Sequence, residues 1–91
     1  MGSGLIPKLQ YAIKTEGLTI TIPTTQFYSE NLQKFVKVYH IKHGRKELYS
    51  NASQVNIIKF LARLLDILRE NKGIEEKKLI EKLEEEFNET S

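Results

Sequence analysis

The clearest pattern of apolar and polar positions lies in residues 18–22, where Thr19 and Thr21 separate three apolar residues and Pro23 follows. Strict alternation of β-branched residues, ended by proline, is typical of a strand with one apolar face. A strand this short is not stable alone. The pattern therefore predicts that it pairs with the N-terminal stretch or with a second molecule.

Apolar residues after Pro23 recur at spacings of three and four, which predicts a helix that ends near Gly44. They are Phe27, Tyr28, Leu32, Phe35, Val36 and Tyr39. A second interpretation stays open for residues 35–41, because apolar and polar side chains also alternate there. In that case residues 43–46 (His-Gly-Arg-Lys) form a hairpin turn. Residues 5–14 are similarly ambiguous: Pro7 could open a short helix, and a strand is equally compatible.

The strongest helix prediction begins at Asn51 as N-cap, with Gln54 at the third helical position, and continues to Gly73. Apolar residues cover more than one face of this helix, so it must be buried from several sides. A chain of 91 residues offers little to surround it. Dimerisation is the economical solution.

The last predicted helix runs from Ile74 to about Phe87, with one apolar stripe and many glutamates, as expected of a docking helix. Residues 1–73 contain 11 Lys/Arg against 5 Asp/Glu, a balance of +6, whereas residues 74–91 contain 3 against 7, a balance of −4. A basic body followed by an acidic segment suits a polyanionic partner.

The residue types that carry catalysis are poorly represented. The chain has no cysteine, and its glycines are scattered singly, so neither a thiolate site nor a phosphate-binding loop is expected. His40 and His43 are three residues apart but have only Glu47 nearby as a third metal ligand. No apolar run reaches the length of a membrane helix. These features predict a cytoplasmic, non-enzymatic protein without cofactor, metal or membrane span.

Three features together resemble the ribbon-helix-helix family, the superfamily of the Arc and methionine repressors. They are the strand of residues 18–22 closed by Pro23, the turn at residues 43–46, and residues 50–55 opening a helix. The resemblance covers about residues 17–72. It implies a mainly α fold with a short N-terminal β-strand, forming a ribbon-helix-helix dimer with an additional C-terminal helix. Residues 1–17 would be an N-terminal arm, residues 18–73 the core, and residues 74–91 an acidic amphipathic helix.

The resemblance also implies a function, that of a homodimeric, sequence-specific DNA-binding repressor whose paired strands enter the major groove. The residues expected to contact DNA are Thr19, Thr21, Lys14, Thr15, Arg45, Lys46, Asn51 and Ser53. One alternative is a non-catalytic accessory subunit that docks on a larger protein assembly through its apolar helices, including the C-terminal one. Another is a winged helix with residues 35–49 as the wing.

Overall fold

The computed structural model describes residues 4–88, which form an α/β domain rather than a mainly α one. The elements in chain order are α1 (Leu5–Thr15), β1 (Thr24–Ser29), β2 (Lys34–His43), β3 (Lys46–Asn51), α2 (Gln54–Glu70) and α3 (Glu76–Asn88). The strands form one antiparallel sheet in the order β1-β2-β3. The prediction of a ribbon-helix-helix fold with a single strand is therefore wrong.

The strand predicted over residues 18–22 is reduced to a single bridge at Thr21, and its partner is β2 rather than the N-terminal stretch, which forms α1. Thr21 and Lys42 exchange two backbone hydrogen bonds of 2.9 Å, and the His40 amide donates to the Pro23 carbonyl at 2.9 Å. These contacts continue the β1–β2 register, in which Thr24 lies opposite Tyr39. Residues 18–22 thus extend the line of β1, with Pro23 between them.

The helix predicted between Pro23 and Gly44 is a β-hairpin. The alternating interpretation of residues 35–41 is correct, and Gly44 lies in the turn between β2 and β3 with φ +63°. Aromatic and β-branched residues dominate this segment and favour strands, whereas the three-and-four spacing of its apolar residues arose from two separate strands. Residues 5–14, for which both structures were open, form helix α1.

The core lies between the helices and one face of the sheet, and α1 packs directly against α2. Its buried members are Ile13, Leu18, Ile20, Ile41, Ile57, Phe60, Leu61, Leu64, Leu65, Ile67, Leu68, Leu79 and Leu83. Seven of them belong to α2, which contacts α1, α3 and the two strands β2 and β3. The broad apolar surface of α2 is therefore covered by its own chain.

Helix α2 begins later than predicted. Ser53, not Asn51, is the N-cap, and its Oγ accepts a hydrogen bond from the Asn56 amide. Asn51 ends β3, and its Oδ1 accepts from the Ser53 amide at 2.8 Å. The two side chains together order the connection between strand and helix.

Helix α3 docks as an amphipathic helix, with Leu79 and Leu83 in the core. Phe87 packs against Tyr49 and Phe60, at ring-centroid distances of 5.4 and 4.8 Å. These contacts join α3 to both β3 and α2, so α3 belongs to the same folded unit.

Candidate interaction surface

The alternation predicted for residues 18–22 is confirmed, because Leu18 and Ile20 are buried while Thr19 and Thr21 are exposed. Lys14 and Thr19 line one shallow surface cleft between α1 and the start of this segment. Thr15 Oγ1 donates to the Ala12 carbonyl at 2.6 Å and so belongs to the end of α1.

Of the remaining sequence-predicted DNA contacts, Arg45 and Lys46 lie close to Thr19, because the neighbouring His43 contacts the Thr19 carbonyl. Arg45 and Lys46 lie at the β2–β3 turn beside α3, where the Lys46 ammonium is 3.9 Å from the Glu84 carboxylate. Asn51 and Ser53 lie at the other end of β3, about 17 Å away at roughly 3.4 Å per residue. Both side chains already have partners there, since Asn51 Oδ1 accepts from the Ser53 amide and Ser53 Oγ accepts from the Asn56 amide. The structure therefore separates Asn51 and Ser53 from Arg45 and Lys46 by the length of β3.

Both ring nitrogens of each histidine have a polar partner within this chain. His40 Nε2 lies 2.9 Å from Thr25 Oγ1, and its Nδ1 lies 2.7 Å from a Glu47 carboxylate oxygen. His43 contacts the Thr19 carbonyl through Nδ1 and the Glu76 carboxylate through Nε2. Within residues 4–88, no cluster of three or more metal-ligating side chains is present.

A different feature stands out, a two-stranded ribbon formed by residues 25–29 of β1 and 34–38 of β2. Strand β3 pairs only with β2 residues 39–43, so the ribbon continues beyond the third strand. Every residue of β1 from Thr24 to Tyr28 is exposed. The helical layer does not cover this part of the sheet.

The ribbon carries large apolar side chains on both of its faces. Because side chains alternate along a strand, Gln26, Tyr28, Phe35 and Lys37 share the face that continues from buried Ile41. We call this the helix-side face. The rings of Tyr28 and Phe35 meet edge to face at 5.3 Å, yet Phe35 remains 68% exposed.

The opposite face, which we call the open face, consists of Thr25, Phe27, Val36 and Val38. Phe27 lies directly across from Val36 and is 52% exposed. Leu32, in the turn at the tip, is 61% exposed. An exposed apolar cluster of this kind is the usual mark of a contact surface.

The open edge of β1 presents unpaired backbone groups. In an antiparallel ladder, hydrogen-bonded and non-hydrogen-bonded pairs alternate. Thr21 and Pro23 bond to β2, so the odd-numbered residues Thr25 and Phe27 do so as well. The amide and carbonyl of each even-numbered residue of β1 point away from β2. The outward set is Thr24, Gln26 and Tyr28. Within residues 4–88, no hydrogen bond reaches these outward groups.

The ribbon has a small positive charge. Lys34 and Lys37 form no ion pair within the described part of the chain, and the only acidic residue of the ribbon and its tip is Glu30. The Lys37 ammonium lies 5.3 Å from the centre of the Tyr39 ring, whose hydroxyl accepts a hydrogen bond from Gln54 Nε2 at 2.6 Å. These contacts fix the base of the ribbon against the start of α2.

No protein-family model, curated protein or solved structure matches this chain. Across residues 4–88, no helix has the length and apolar character needed to cross a bilayer. Sequence reasoning missed Phe27, Tyr28 and Phe35 as surface residues because it assigned them to the buried stripe of a helix. The signal that could have found them is the strand-like alternation that continues from residue 35 to residue 41.

Proposed function

We propose that this chain is a non-catalytic protein-interaction domain whose contact element is the ribbon. The observation that carries the proposal is a two-stranded segment with exposed aromatic side chains on both faces, which no helix within residues 4–88 covers. A free two-stranded hairpin is marginally stable in water. A partner that covers the ribbon would stabilise it and remove apolar surface from water together.

The composition of the ribbon suits a protein partner. Aromatic residues are enriched and charged residues depleted in the centres of protein interfaces. Phe27, Tyr28 and Phe35 are each more than half exposed, and burying that exposed area would contribute about 1 kcal/mol per side chain. Most large apolar side chains of α2 and α3 already pack in the core of this chain, so we assign the contact to the ribbon rather than to these helices.

Nucleic acid is the second candidate partner, and the lysines of β2 favour it. Lys34 and Lys37 have no carboxylate partner among the described residues, and Lys37 lies beside the Tyr39 ring, on which a base could stack. A two-stranded ribbon also fits the major groove of duplex DNA. This version keeps the predicted DNA binding and moves it from Thr19 and Thr21 to the ribbon. A protein partner is the preferred hypothesis, because two lysines supply few phosphate contacts.

A photo-cross-linking experiment separates the two partners. The photoreactive amino acid p-benzoylphenylalanine replaces Phe35 on the ribbon or, as a matched control, the exposed Lys59 on α2. Irradiation of cells producing each variant should give an adduct at position 35 that protease digests and nuclease does not, with little adduct at position 59. A nuclease-sensitive adduct would establish the nucleic-acid candidate instead. Equal adducts at both positions, or none, would contradict the ribbon as the contact element.

A further inference from the structure

We propose that the partner of the ribbon is a second copy of this chain, joined by antiparallel pairing of the two β1 edges into one six-stranded sheet. This inference rests on the proposed function and names its partner. The hydrogen-bonding groups for such pairing are the outward amides and carbonyls of Thr24, Gln26 and Tyr28.

Before β1, the same edge is covered by helix α1 of this chain. By the same alternation the carbonyl of Ile20 also points away from β2, and the Gln10 side-chain amide donates to it at 2.9 Å. Helix α1 therefore covers the edge near Ile20 and leaves it open beside the ribbon. The open stretch is limited to the residues that the proposed pairing uses.

Strand β1 has none of the features with which proteins block edge pairing. Between Thr24 and Ser29 it contains no charged residue and no proline, and its pairing with β2 has no register shift. The other edge of the sheet differs, since β3 includes Lys46 and Glu47 and its pairing with β2 is shifted between Ile41 and Lys42. The unprotected edge is the one beside the exposed aromatic rings.

The order of residues in β1 makes it complementary to itself. Thr24 and Thr25 precede Gln26, and Phe27 and Tyr28 follow it. Antiparallel pairing joins outward residues to outward residues, which allows Gln26 to lie opposite its own copy on a two-fold axis. Each Tyr28 then meets the second copy's Thr24, and each Phe27 the second copy's Thr25. Aromatic and β-branched neighbours across strands are a favourable combination, and no like charges meet.

The absence of cysteine from the sequence makes this geometry directly testable. In the proposed register the two Gln26 Cα atoms are about 5.5 Å apart, within the range of a disulfide. The two Thr24 Cα atoms are about 14 Å apart, which is too far. On oxidation with copper phenanthroline, Gln26→Cys should form a covalent dimer, whereas the matched control Thr24→Cys should remain monomeric. Cross-linking of both variants, or of Thr24→Cys alone, would overturn the register.

Sedimentation equilibrium tests the pairing without any cross-link. Proline at Gln26 removes an outward amide but no hydrogen bond of the β1–β2 ladder, so Gln26→Pro should raise the dimer dissociation constant at least about tenfold. Ser50→Pro, the same change at an outward position on β3, should leave that constant within about twofold. Circular dichroism confirms that each variant is folded.

A wild-type chain that stays monomeric, or equal effects of the two prolines, would overturn the inference. If the photo-cross-linked adduct at position 35 nevertheless contains a different protein, the proposed function stands and only its partner is wrong. If no protein adduct forms either, both fail.

Discussion

The two halves of β2 have the same alternating pattern and opposite environments. Residues 39–43 lie between β3 and the line of β1, with the helices against one face, whereas residues 34–38 have only β1 beside them. Ile41 and Phe35 point to the same face of the same strand, yet Ile41 is fully buried and Phe35 is 68% exposed. Alternation therefore identifies which side chains share a face. It does not say whether anything covers that face.

The largest expected effect compares these two residues directly. Ile41→Ala should destabilise the domain by about 2–5 kcal/mol, because it leaves a cavity in a packed core. Phe35→Ala should cost less than about 1 kcal/mol when measured at a concentration where the chain is monomeric, since its ring contacts only Tyr28 among aromatic neighbours. Urea unfolding of both variants checks the difference. Similar losses of stability would mean that the ribbon is packed against the rest of the molecule.

A medium effect is expected at the start of α2, which contacts Tyr39, the residue at the boundary between the two halves of β2, through Gln54. Ser53→Ala removes the side-chain cap on the Asn56 amide and should lower the free energy of unfolding by about 1 kcal/mol. The exposed neighbour Ala52 provides a control, because Ala52→Ser adds a hydroxyl without removing a cap. Thermal unfolding followed by circular dichroism measures both. A loss at position 52 as large as that at position 53 would assign the effect to the loop rather than to the cap.

The smallest effect concerns the ion pair between Arg63 of α2 and Glu86 of α3. Arg63 Nε contacts both Glu86 carboxylate oxygens at 2.8 and 3.0 Å, and this hydrogen bond, aided by the guanidinium charge, lowers the pKa of Glu86. The same pairing raises the pKa of Arg63. Both side chains are about 40% exposed, so water screens the pair and it stabilises the fold by no more than about 1 kcal/mol.

The direction of the pH dependence follows from the lowered pKa of Glu86. The ion pair contributes fully above the ordinary pKa of an unfolded glutamate, and this contribution is lost as the pH falls through the lower folded-state value. Glu86→Gln should therefore be less stable than the wild type at pH 7, and the difference should shrink in acid. Glu85→Gln, one residue earlier on the exposed face of α3, should show no such difference. A difference between wild type and Glu86→Gln that persists at low pH would contradict this account.

Several elements could be predicted from local sequence because their causes are local. The alternation of residues 18–22 correctly predicted which side chains are buried, and the apolar periodicity identified α2 and α3. The N-cap was misplaced by two residues because Asn51 and Ser53 are both good capping residues. Only the end of β3 at Asn51 decides between them.

The ribbon shows why the rest could not be predicted. Phe27, Tyr28 and Leu32 have a helix-like spacing that arises only because two strands and a tight turn follow one another. The partner strand of residues 18–22 lies about 20 residues away along the chain, and no local pattern specifies that pairing. The candidate surface was missed for the same reason, because it is formed where residues 34–38 of β2 have no β3 partner.

Residue type and short-range spacing were enough to predict helices α2 and α3 and their apolar faces, and they fix the absence of cysteine and the separation of basic and acidic segments. Long-range packing decided that residues 18–22 and the apolar surface of α2 find their partners within one chain. The same packing leaves both faces of the ribbon uncovered by the helices. Burial depends on which elements meet in space, and that outcome results from long-range strand pairing and from how far the helical layer extends over the sheet.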